Sequence, residues 1–115
     1  MVKRAGSYEI LHNERMRGGD GVVDVEILLT PAEIYDKGRL FAKMTLMTGS
    51  SIGHHVHEGE MEAFYIIGGK AEFSDNGELF TLLPGDVALT TSGEEHSIRS
   101  IGDTPLELIA TIILK

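Results

Sequence analysis

Alternation with a period of two runs through much of the chain. In Val22–Leu29, Val23, Val25, Ile27 and Leu29 are spaced by Asp24 and Glu26, which predicts a half-buried strand. The preceding Gly18-Gly19-Asp20-Gly21 run predicts a turn, because glycine reaches positive φ without a steric cost. Pro31–Asp36 allows one short helical turn ended by Gly38, Phe41–Thr48 reads as the next strand, and Gly49–Gly53 as a small-residue loop. His54–Gly69 opens with a polar cluster and ends in the apolar run Ala63-Phe64-Tyr65-Ile66-Ile67. Lys70–Ser74 and Glu78–Leu83 flank Asp75-Asn76-Gly77, and Asn-Gly is the strongest short signal for a hairpin. Pro84-Gly85-Asp86 turns the chain into Val87–Thr91, and Gly93-Glu94-Glu95 turns it into His96–Ile101. In Leu106–Leu114, Leu106, Leu108, Ala110 and Ile112 share one face, while Glu107, Ile109, Thr111 and Ile113 share the other. That second face is apolar enough at its far end to predict packing on another sheet or a partner chain.

Short strands with regular turns and no long helical pattern predict an all-β fold, a sandwich or a barrel. Alternation assigns Met44, Leu46, Phe64, Ile66, Ile98, Leu108 and Ala110 to its inner wall. Exposed strand edges must be closed or paired, and a homodimer is one physical solution.

Composition narrows the functions. At 115 residues the chain suits one domain, residues 1–115. It has no cysteine, so disulfides, thiolate nucleophiles and zinc–sulfur sites are excluded. Ten basic against 18 acidic side chains give a formal charge of −8, without a basic stripe, which argues against nucleic acid. No apolar stretch is long enough for a membrane span and the first residues do not read as a secretory signal, so the expectation is a cytoplasmic protein.

Chemistry concentrates at His54-His55-Val56-His57. On a strand His55 and His57 share a face and His54 points away. A turn at Gly59 returns a carboxylate towards the two rings. Glu62 leads the inward alternation Phe64, Ile66, although Glu60 has the same parity. His96, opening the strand His96, Ile98, Ser100, supplies a third imidazole from a neighbouring strand. Three neutral nitrogens and a carboxylate suit one divalent transition metal: Mn, Fe, Co, Ni or Zn. The spacing by itself also suits a solvated polar turn.

The run from Gly49 to Gly69, with His55, His57 and Glu62 between them, resembles the first motif of the cupins, and every fixed position is met. Gly85, Gly93 and His96 fall in the register of the second cupin motif; Thr91 stands where that family has proline and Ser100 where it has asparagine. The metal-binding motifs then lie within 49–69 and 85–100. The resemblance implies a double-stranded β-helix, a jelly-roll barrel, with a metal held by His55, His57, Glu62 and His96 and open positions for water or substrate. It also implies a homodimer, often formed through N-terminal strands, for which Val22–Leu29 is a candidate.

The family includes decarboxylases, dioxygenases, isomerases and non-catalytic binders, so the resemblance implies a small carboxylate or oxygenated ligand without choosing the reaction. The alternative to a metalloenzyme is a metal-assisted binding or sensing domain. Glu60 and Glu33 are candidate acids or bases; Arg17, Tyr35, Arg39 and Lys43 are candidate contacts to an anion. Oxalate decarboxylation, known in the family, calls for a proton-donating glutamate, and Glu33, Glu58 and Glu60 are the residues available. His12 is isolated, and Met44, Met47 and Met61 read as core filler.

Overall fold

The computed structural model describes residues 1–115 and contains ten strands, all paired antiparallel. They are β1 (Ile10–Glu14), β2 (Val22–Leu29), β3 (Gly38–Leu46), β4 (Ser51–Val56), β5 (Glu60–Gly68), β6 (Ala71–Asp75), β7 (Glu78–Leu82), β8 (Val87–Thr90), β9 (Glu95–Ser100) and β10 (Leu106–Leu114). Six form one sheet in the order β1-β2-β3-β10-β5-β8, and four form a second in the order β4-β9-β6-β7.

Neither sheet closes on itself, which corrects the expectation of a jelly-roll barrel. β1 and β8 are free edges of the larger sheet, β4 and β7 of the smaller, and no ladder joins the two. The core forms without closure: Val23, Met44, Phe64, Ile66 and Leu108 of the larger sheet join Ile52, Ala71, Phe73 and Ile98 of the smaller in a single apolar cluster. Side chains meeting between two open sheets bury this surface, so continuous backbone pairing around a barrel is not required. All seven residues assigned to the inner wall by alternation are buried.

Two boundaries differ from the pattern. β1 has no apolar alternation, because as an edge strand it is exposed over most of its length; it forms by pairing with β2 from Ile10↔Glu26 to Glu14↔Val22. β2 is therefore flanked by β1 and β3 within its own chain. Ser51–Gly53, read as loop, belongs to β4. The Asn76-Gly77 hairpin between β6 and β7 is present, with both residues at positive φ.

Candidate metal centre

The irregularity in β4 sets the site. Ile52 pairs with Ile98 and His55 with His96, so three steps along β4 match two along β9. Ile52 lies in the apolar core, and strict alternation from it would turn His54 inward. The extra residue reverses the parity, so His55 and His57 face the space between the sheets while His54 is exposed. Gly53 is needed at this bulge: a Cβ there would lie 2.1 Å from the Arg17 carbonyl oxygen. Across the sheets, β5 turns Glu62 inward ahead of Phe64, and β9 brings in His96 opposite His55.

The facing atoms form a compact set. His57 Nε2 is 3.0 Å from Glu62 Oε1 and 3.1 Å from His96 Nε2; His96 Nε2 is 3.0 Å from His55 Nε2 and 3.1 Å from Glu62 Oε1. All four ligand atoms lie within 4.8 Å of one another. His57, Glu62 and His96 are buried, and His55 is half-buried.

Hydrogen bonds on the far side of each ring determine what these nitrogens offer. His55 Nδ1 donates to the Gly53 carbonyl at 2.8 Å, and His57 Nδ1 donates to Glu60 Oε2 at 2.6 Å. His96 Nδ1 pairs with Thr90 Oγ1 at 2.8 Å. With Nδ1 protonated, each Nε2 presents a lone pair towards the others; this tautomer is assigned from the bonding network. Three lone pairs and a carboxylate gathered this closely repel unless a cation lies among them. A proton bridges one pair, whereas a divalent ion serves all four donors. Donors about 2.1 Å from a common centre and at right angles are about 3.0 Å apart, the spacing of the four pairs given above. The residues therefore fit one divalent transition-metal ion, and nitrogen–oxygen donors alone do not select among Mn, Fe, Co, Ni and Zn.

Neighbours hold the donors in this state. Burial pushes the His55 imidazolium below its ordinary pKa, against the Gly53 carbonyl; the nearby His96, His57 and Arg17 add to the effect. Phe64 stacks on the His96 ring at 5.2 Å, and Phe73 meets it edge-on at 5.6 Å. Arg39 grips Glu60 through Nε and Nη2 at 2.8 and 2.7 Å. That fork, with smaller help from His57, pulls the Glu60 carboxyl down to about 2. Glu60 and Glu62 share a parity yet divide the labour, one at each nitrogen of His57.

The cluster opens into a cavity of about 170 Å³ whose walls include Met16, Val25, Met44, Ile52 and Ile112, with Asn13, Arg17 and Arg39 as polar members. Among the other sequence candidates, Glu33 binds Lys3 and Thr30, and Tyr35 is 84% exposed. Both line a larger, open groove of about 630 Å³ that contains none of the clustered donors. Lys43 points outward between Glu26 and Glu107, and His12 pairs with Asp24 on β1–β2. Sequence reasoning missed Thr90 and Asn13: the first is placed by the pairing of Glu62 with Thr90, the second by the unpredicted strand β1.

Known proteins match this architecture. A family model described as Cupin domain matches residues 42–112. The oxalate-binding protein of Thermotoga maritima is 46% identical over 114 residues, covering 99% of this chain and 94% of that protein. The crystal structure of a predicted oxalate decarboxylase from Thermotoga maritima superposes with a TM-score of 0.97 at 46% identity, covering 100% of both chains. A cupin-2 domain from Rhodospirillum rubrum shares only the fold, with TM-score 0.80 and 13% identity over 100% of this chain and 75% of that one. With the donor cluster lying inside the matched segment, the chain belongs to the cupin family.

Proposed function

We propose that this protein binds a small carboxylate, oxalate first among them, at a divalent metal held by His55, His57, Glu62 and His96. The observation that carries this reading is the convergence of four metal-type donors on a small cavity lined also by two arginines. A metal bound there supplies a Lewis acid for a carboxylate oxygen. The protein supplies the rest: apolar walls that limit ligand size, and in Arg17 a positive charge that no carboxylate of the chain pairs with. The similarity to an oxalate-binding protein supports the choice of oxalate.

Binding is favoured over decarboxylation. Decarboxylation requires a proton donor beside the metal, and Glu62, itself a proposed ligand, is the one carboxyl group lining the cavity. Glu60 is held ionised by Arg39, and Glu33 lies in the other groove. Calorimetry on manganese-loaded protein tests this: oxalate binds saturably, binding disappears in His57→Ala, and no carbon dioxide is released above that variant. Absent binding removes the proposal, and sustained carbon dioxide release replaces it with decarboxylation.

The formal charge of −8 disfavours a nucleic acid as the partner. The same reading pairs two copies of the chain through the outer face of the larger sheet. There Tyr65, Ile67, Val87 and Leu89 are exposed, and Tyr65 pairs with both Ile109 and Val87. A mass in solution of twice 12.5 kDa, halved by Val87→Asp, is the expected result. No helix is long and apolar enough to cross a membrane.

A further inference from the structure

We infer that Arg17 is the residue that distinguishes dicarboxylates from monocarboxylates, by binding the outer carboxylate of a ligand whose inner carboxylate lies at the metal cluster. This rests on the function proposed above and names the ligand class of the same site.

Two arginines line the cavity, and they differ in what already holds them. Arg39 is engaged by both carboxylate oxygens of Glu60. Arg17 has no carboxylate partner in the chain, although it lies close enough to His55 for its charge to act on that ring. It borders the metal cavity on one side and a polar groove of about 460 Å³ outside β4 on the other, which puts it at the rim.

The backbone beneath Arg17 is built to stay in place. Arg15 and Arg17 both adopt left-handed conformations, at φ 49° and 54°, which residues with a Cβ avoid unless their surroundings impose them. The surroundings do so here. A Cβ on Gly19 would lie 2.2 Å from the Ser51 carbonyl oxygen, so the turn and β4 touch backbone to backbone. Asp20 N donates to Ser51 Oγ, Ser51 N donates to Asp20 O, each at 2.9 Å, and Arg99 bridges Asp20 Oδ2 and the Gly49 carbonyl. Met16 packs on the core beneath. The bulge residue Gly53 thus does two things: its carbonyl orients His55, and its missing side chain admits the Arg17 turn.

A guanidinium fork matches a carboxylate, and a cavity of about 170 Å³ admits a short dianion. A monocarboxylate with its one anionic group at the metal has nothing left for Arg17. Manganese-loaded parent and Arg17→Gln are titrated with oxalate and with acetate, with metal content and thermal unfolding checked for each. In the variant the oxalate Kd rises about tenfold to a hundredfold while the acetate Kd stays within about twofold. An oxalate Kd within about twofold of the parent, or equal weakening for acetate, overturns the inference. Phenylglyoxal modification of Arg17 in the parent, followed by mass spectrometry, tests it without a variant: oxalate slows the reaction and acetate does not, and lack of protection by oxalate overturns it. If the parent binds neither acid, the functional reading itself fails and this inference falls with it.

Discussion

In one region between the sheets Leu46, Ile66, Leu106 and Leu108 are fully buried within the apolar cluster; in another His57, Glu62 and His96 are only 2%, 4% and 1% exposed. Equal burial therefore serves opposite chemistries. The apolar region is stable by itself, since contact among hydrocarbon side chains satisfies everything it contains. The polar region depends on groups outside it: the Gly53 carbonyl, Glu60 and Thr90 on the outer nitrogens, and a cation for the inner ones. Perturbing the first should change stability and leave the metal; perturbing the second should change the metal first.

The largest separation is expected from His57→Ala. Elemental analysis should find nearly all bound metal gone, and the rise in Tm that manganese gives the parent should vanish. Retained stoichiometric metal would mean that the donor set is different. Leu108→Ala acts on the other region: burial at 0% exposure predicts a loss of about 2–5 kcal/mol in urea unfolding, with unchanged metal stoichiometry in the folded protein. Loss of metal in this variant would show that the two regions are coupled.

Glu60→Gln sharpens the contrast, because it touches a donor without being one. Replacing the carboxylate that accepts from His57 Nδ1 should weaken metal binding about 10–100-fold in a competition titration. An unchanged affinity would mean that the His57 ring is held by its packing alone.

The smallest effect lies far from the cluster, at Glu33. Its carboxyl is pulled down to about 2, first by the hydrogen bond from Lys3 and then by Thr30 N–H. The folded state thus binds fewer protons than the unfolded one, so this contribution is present above about 4.5 and is lost as the pH falls towards 2. In carboxyl NMR titrations the Glu33 midpoint should rise in Lys3→Gln, and an unchanged midpoint would assign the shift to Thr30 instead.

How much of this was legible depended on whether a feature is local. Strands with one buried face, such as β3 and β10, announce themselves by alternation, and the Asn76-Gly77 hairpin by its turn chemistry. β1 does not, because an exposed edge strand is defined by its neighbour rather than by its own residues. Glu60 and Glu62 could not be told apart by parity. Only the position of His57 between them assigns one to each nitrogen.

The sequence by itself determined the all-β class and the inner apolar wall, and it narrowed the donors to the histidines of 54–57, His96 and either Glu60 or Glu62, since periodicity and residue chemistry are properties of short segments. Tertiary structure decided that the sheets stay open, that the Gly53 bulge turns His55 rather than His54 inward, and that Arg17 stands unpaired at the rim. Those outcomes depend on backbones distant in sequence coming within contact, as Gly19 and Gly53 do, and no local pattern encodes such an approach.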